Sequence, residues 1–251
     1  MELTDVTATL YLVGCLLLLP GTVLLLPAYT GEYYGTAIYF LVAACSVLTL
    51  AAAGDISPLI GRCCSSVKRP PAGYTEAPGF YGAAGYANHL AEAPHASDDE
   101  PPTGREFFGG LFMLLGGVFF MVASLLAMPG VDTQGFIAGS AAADSTWVFR
   151  FGSCFYLCGS LCSIIGVRQA GGVINNQRAT FGILCYSIGA VLYLTGGVLS
   201  ELKEKGFALT WIVGSVFFVM GAVAFAVPTL GKLCACCAPE EEEPPGHGNH
   251  Y

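Results

Sequence analysis

The sequence predicts an all-α polytopic membrane protein, with six transmembrane helices arranged as three antiparallel hairpins. Three observations predict it. Of 251 residues, 54% are hydrophobic and only 11% charged; a soluble domain carries about 25% charged residues to cover its water-facing surface. Six stretches without Asp, Glu, Lys or Arg approach or exceed the roughly 20 residues that span a bilayer. Glycine, at 33 copies, concentrates inside these apolar stretches, where membrane helices tolerate it. A soluble enzyme, a disordered chain and a fibrous protein are excluded.

The spans are expected at roughly 8–29, 34–55, 107–129, 146–167, 179–200 and 208–230, on or close to these stretches, the second ending on Asp55 and the fourth taking in Arg150. The first is read as a retained signal-anchor, because Glu2 and Asp5 precede it where a cleaved signal peptide carries positive charge. Orientation follows from lysine and arginine. With both termini in the cytoplasm, the inner side receives Arg62, Lys68, Arg69, Arg105, Arg168, Arg178 and Lys232, and the outer side only Arg150, Lys203 and Lys205. The chain then divides into a first hairpin (1–56), a cytoplasmic loop rich in Pro, Gly and acidic residues (57–105), a four-helix region (106–233) and a tail that is Cys-rich and then acidic (234–251). The loop and the tail are expected to be disordered.

Four spans share one pattern: small, small, any, bulky, aromatic, any, any, small, small. The copies begin at Gly116, Gly152, Gly189 and Gly214 and return to a small residue at Ala123, Gly159, Gly196 and Gly221. Weaker copies occupy the first span at Gly14-Cys15 and Gly21-Thr22, and the second at Ala44-Cys45 and Ala51-Ala52. Positions one, four, five and eight fall on one helical face. That face runs small, large, small, and an antiparallel neighbour offers nearly the same profile, so rings of one helix can sit over glycines of the next. Lipid supplies no hydrophobic drive between helices, so close packing of small residues must make the contact. Gly116, Gly152, Gly159, Gly189, Gly196, Gly214 and Gly221 are the expected packing residues, with Phe119, Phe155 and Phe217 as their bulky partners.

Two segments, Thr146-Trp147-Val148-Phe149 leading into Gly152-Ser153, and Thr210-Trp211-Ile212-Val213-Gly214-Ser215-Val216-Phe217-Phe218, resemble the YrhK-like family of small membrane proteins. That likeness covers roughly the last 150 residues outside the tail. It implies a hairpin membrane module and brings no catalytic residues with it.

Eleven cysteines invite a metal or disulfide reading, but their placement argues otherwise. Cys63, Cys64, Cys234, Cys236 and Cys237 follow the cytoplasmic ends of spans two and six, beside Arg62 and Lys232. Juxtamembrane cysteines are usual sites of S-palmitoylation; the competing readings are plain unmodified thiols and a zinc site shared between the two clusters. Cys154, Cys158 and Cys162 recur every four residues and are expected in the same packing seam as the glycines. Charged groups deep in a bilayer are costly and usually functional. Here only Asp55, Glu106 and Arg150 approach the span ends, and Arg150 is expected to meet Asp144 or the headgroups. His89, His95, His247 and His250 lie in the loop and tail. No phosphate loop, nucleophile elbow or zinc-protease motif is present in the sequence.

The sequence therefore predicts a non-enzymatic protein without catalytic residues, metal or cofactor. It would act through helix packing in the lipid bilayer, as an accessory subunit or membrane-organising scaffold. Its expected partners are membrane proteins or further copies of itself, not nucleic acid, and glycine-rich faces left on the surface would bind them. The alternative is a channel or facilitator for a small neutral solute, lined by Ser153, Ser160, Ser187, Thr195 and Ser215. Its expected location is the plasma membrane or an endomembrane.

Overall fold

The computed structural model describes residues 3–65, 104–131, 141–169, 177–202 and 206–237. These residues form six helices and no strand: α1 (Leu3–Val23), α2 (Thr30–Ser65), α3 (Gly104–Leu126), α4 (Ala141–Gln169), α5 (Gln177–Glu201) and α6 (Phe207–Cys237). All six are long and apolar enough to cross a membrane. A helix suits that setting because it satisfies its backbone donors and acceptors internally, where lipid offers no partner.

The third, fourth and fifth spans fall within about five residues of their expected positions, the second and sixth run on past their expected ends, and the first is displaced. Expected at 8–29, it is the helix Leu3–Val23. Asp5 does not mark its border, because the carboxyl is buried and accepts a hydrogen bond from Thr229 at 3.1 Å. At the other end, Leu24, Leu25 and Leu26 are apolar yet belong to the turn before α2, ahead of the helix-breaking Pro27. Asp144 is likewise drawn into α4 and buried. Two further boundaries move outward. Residues 57–65 continue α2, and α6 runs on to Cys237, so both juxtamembrane cysteine clusters stand on helix ends. Loop residues 66–103, tail residues 238–251 and the four histidines lie outside the described residues.

The helices close into a ring. Each packs chiefly on its two neighbours in sequence, and α1 meets α6 to complete the circuit. The most extensive contacts are α3 with α4, α5 with α6, and α1 with α2. Thr7 lies against Gly54, Gly14 against Leu48 and Gly21 against Leu41, so α2 runs opposite to α1. Both other pairs show the same reversal. After α3 the chain turns through Pro129 and Gly130, with Val131 N–H donating to the Met128 carbonyl at 3.2 Å. Gly130 sits there at φ +87°, in the third position of a turn that requires a residue free of a Cβ.

Candidate functional site: glycine seams and the bundle interior

The three strong interfaces repeat one geometry. In α3/α4, a Cβ on Gly152 would stand 2.8 Å from the Phe120 ring and 3.2 Å from the Gly116 carbonyl; one on Gly116 would strike the Tyr156 ring. In α5/α6, Gly214 faces Tyr193, Gly189 faces Phe218, Gly221 faces Tyr186 and Gly182 faces Phe225. Each ring comes from four residues beyond the glycine that its partner covers, and the contacts recur every seven residues. A seven-residue repeat keeps a seam facing its partner along the whole length of two crossing helices.

The rings over the glycines are those at motif position five: Phe120, Tyr156, Tyr193 and Phe218. Position four does something else. Phe119 and Phe155 stack on each other across α3/α4 at 5.2 Å, half-buried at the margin of the seam, and Phe217 is half-buried on α6. The reason is angular. Position five lies four residues from the glycine, close to one full turn, so it shares the glycine's direction more nearly than position four does. Gly159 meets Met113, and Gly196 meets the Trp211 indole. Gly182 and Phe225 extend the pattern beyond the motif; a search for glycine at seven-residue spacing would have found them. In α1/α2, Leu41 and Leu48 take the place of the rings.

Every glycine of the repeat is buried. The outward faces carry Leu16, Leu50, Phe151, Leu161, Ile188, Val213, Val223 and similar side chains. The expected glycine-rich partner surface is therefore absent among the described residues, because the glycines are spent inside the ring. The cysteine stripe is also displaced from expectation: Cys154 and Cys158 are exposed, so they face away from the seam.

The hydroxyls proposed to line a path are occupied locally. Ser153, Ser160, Ser187, Thr195 and Ser215 each donate to the carbonyl four residues earlier, at 2.8–3.0 Å. Such back-bonding satisfies a hydroxyl in lipid without a second helix. Thr195 is exposed on the outside of α5. Ser215 has further work, since the Tyr193 hydroxyl lies 2.6 Å from it and Thr22 Oγ1 3.2 Å. Trp211 Nε1–H donates to the Tyr193 carbonyl at 3.1 Å.

Toward the end where α1 turns into α2, the axis is filled by rings. Phe120, Phe149, Tyr193 and Phe218 pack with centroids 4.7–5.9 Å apart, in the range where aromatic pairs add stability beyond area burial. Arg150 borders this cluster. Its side chain is 11% exposed and pairs with the half-exposed Glu201 of α5. It also donates to the Gly197 carbonyl at 2.9 Å and lies 4.8 Å above the Trp147 ring. Glu201, which the sequence did not single out, is thus an acidic partner of Arg150 and ties α4 to α5.

No family model, curated protein or solved structure matches this chain.

Proposed function

We propose that the chain is a non-enzymatic integral membrane protein that acts through helix packing, as an accessory subunit or a membrane-organising scaffold. The observation that carries this reading is the use of the repeat: its small residues and rings are consumed in joining six helices into one body with an apolar exterior. A partner would then meet the outward leucine, valine and phenylalanine faces or the residues outside the bundle, not a glycine groove. The likeness of the Thr146 and Thr210 segments to YrhK-like hairpins supports the same reading, as a membrane module without catalytic residues. Both termini are placed in the cytoplasm by the lysine and arginine count, in the plasma membrane or an endomembrane.

The test is extraction in a mild detergent, followed by native-gel migration and mass spectrometry of whatever co-migrates. Migration in a large assembly of fixed composition supports the accessory role. Migration as a lone chain or small homo-oligomer removes it. The second reading, a facilitator for a small neutral solute, draws support from the polar groups inside the ring near Cys15 and Tyr186. Purified protein that leaves liposome permeability unchanged would exclude it.

A further inference from the structure

The seams account for the inward rings, but not for the aromatic side chains on the outside. Tyr29, Tyr33, Tyr34 and Tyr39, around the start of α2, are 40–59% exposed, and Trp147 of α4 is 38% exposed. Tyr34 donates its hydroxyl to the Ala127 carbonyl just past α3 at 3.2 Å, and Ser145 of α4 donates to the Ala123 carbonyl of α3 at 2.8 Å. Trp147 lies against Arg150, whose partner Glu201 ends α5. Those contacts bring the starts of α2 and α4 and the ends of α3 and α5 to one end of the bundle. Toward the other end the exposed large side chains include Ile60, Phe108, Phe181 and Leu230 but, among the described residues, no tyrosine or tryptophan.

The distances fit a bilayer. In α4, Arg168 follows Trp147 by 21 residues, and in α6, Lys232 follows Trp211 by the same 21. At 1.5 Å per residue both spacings are about 31 Å, against about 30 Å for the hydrocarbon core of a membrane. The exposed Arg178 and Glu201 of α5 stand 23 residues, or about 35 Å, apart. The two tryptophans share a level, because Phe149, two residues after Trp147, packs on the half-buried Trp211 ring at 5.0 Å. Tyr39 begins about two and a half turns into α2. Helical side chains lean toward the helix N-terminus, which for α2 and α4 is the end that carries the exposed rings.

We propose that Tyr29, Tyr33, Tyr34, Tyr39 and Trp147 form an aromatic belt at one end of the bundle only, and that its partner is the headgroup and carbonyl layer of the adjoining leaflet. Phenols and indoles suit that layer, with the ring in hydrocarbon and the polar tip in water. Such belts usually occupy both interfaces. Here the second interface has instead one cation near the end of each of five helices: Arg62, Arg105, Arg168, Arg178 and Lys232. A long cationic stem tolerates a change of depth, because it can extend toward water; a short, stiff ring does not. The belt therefore fixes the depth of the bundle, and the opposite end takes up any mismatch in membrane thickness. This assignment stands independently of the scaffold reading and of which leaflet is cytoplasmic.

Tryptophan quenching by brominated phosphatidylcholine tests it on the full chain in vesicles, because bromine quenches only at close range. The chain has two tryptophans, and Trp211→Phe leaves Trp147 as the sole reporter. Bromine near the lipid carbonyls should quench Trp147 about twofold more than bromine near the chain ends. That ratio should hold in short-, medium- and long-chain phosphatidylcholine. With Tyr29→Leu, Tyr33→Leu and Tyr39→Leu added, it should fall toward one as the chains lengthen. Quenching from the chain ends as strong as from the carbonyls would overturn the belt, and the parent chain gives the same reading if the variants fail to fold. A ratio that drifts with thickness while the tyrosines are intact, or one that the three leucines leave unchanged, would overturn their part in fixing the depth.

Discussion

Thr22 and Ser215, 193 positions apart in the chain, hold their hydroxyl oxygens 3.2 Å apart where α1 meets α6. The ring of helices closes at that contact, and at Asp5 with Thr229 toward the opposite end. Neither pair could be read from a single span, because each joins the first helix to the last.

The two hydroxyls are not equivalent. Thr22 also donates to carbonyls of its own helix, at Leu18 and Leu19, whereas Ser215 is the hydroxyl partner of Tyr193. Ser215→Ala therefore orphans a buried phenol and should cost about 1–3 kcal/mol. Thr22→Val, which leaves the Tyr193–Ser215 bond in place, should cost about 0.6 kcal/mol, the average for interhelical hydrogen bonds in membranes. Thermal unfolding in micelles, followed by circular dichroism, ranks the two variants. Equal losses would mean that the Tyr193 bond contributes nothing.

The glycine seams make a sharper prediction. An alanine at Gly214 would place its Cβ 2.6 Å from the Tyr193 ring, with the Gly189 carbonyl only 3.2 Å away on the other helix. Overpacking of this kind costs about 1–3 kcal/mol when the surroundings can shift, and here a backbone atom cannot yield easily. Gly214→Ala and Gly152→Ala should lower the melting temperature, and the leucine variants should fail to give a monodisperse bundle. Gly231, with nothing within 4 Å, is the control: Gly231→Ala should be neutral or slightly stabilising. Size-exclusion profiles beside the melts distinguish unfolding from simple weakening.

Most of this fold was legible because bilayer thickness converts composition into helices. The spacing that put rings over glycines was legible too, since four residues make nearly one turn. The same spacing separates the adjacent rings Phe119 and Phe120, because Phe120, four residues from Gly116, shares its direction more nearly; the expectation of Phe119, Phe155 and Phe217 as partners overlooked that. Asp5 misled the boundary because a charge reads as an interface until its partner is known, and Thr229 lies 224 positions away. The cysteines of α4 misled for a related reason. Small size is compatible with a seam, but Cys154 and Cys158 lie between the seam positions Gly152, Tyr156 and Gly159, so they face outward.

Arg150 supplies a third prediction. Its planar guanidinium reaches Gly197 and Glu201 while stacking over Trp147, a combination that an ammonium cannot reproduce. Arg150→Met should lose about 1.5–3 kcal/mol, the range for hydrogen bonds to a charged group. Arg150→Lys should recover little of it. Glu201→Gln should cost less than about 1 kcal/mol, because Glu201 is 51% exposed and solvent screens the pair. The same melting experiment orders the three, and a full rescue by lysine would show that charge alone matters.

Thiol labelling separates the two sides of the bundle. Cys154 and Cys158 are exposed, while Cys15 and Cys45 are buried between helices. A membrane-soluble maleimide, far larger than water, should modify Cys154 and Cys158 in the folded protein within minutes. Cys15 and Cys45 should react only after denaturation. Mass spectrometry of the labelled peptides reads the outcome, and early labelling of Cys45, whose thiol lies 3.7 Å from the Ser124 hydroxyl of α3, would mean that the α2/α3 contact opens on that timescale.

Lipidation is the last test, and the ends of the helices sharpen it. The charge-free stretch of α2 ends at Gly61, before Arg62, and that of α6 at Gly231, before Lys232, yet both helices continue, to Ser65 and Cys237. At 1.5 Å per residue, Cys63 and Cys64 stand about 3–5 Å beyond that stretch, and Cys234, Cys236 and Cys237 about 5–9 Å. Both helices flank α1, so the two clusters emerge from one side of the ring at the same end. Acyl chains there would return to the adjacent leaflet and hold that side of the bundle against it, since two or more chains anchor where one binds only marginally. Acyl-exchange labelling of protein from native membranes should mark these five cysteines, and serine at all five should abolish the signal. Label that persists in the five-serine variant would move acylation to other thiols; no label in the parent would leave α2 and α6 to end in plain cysteines.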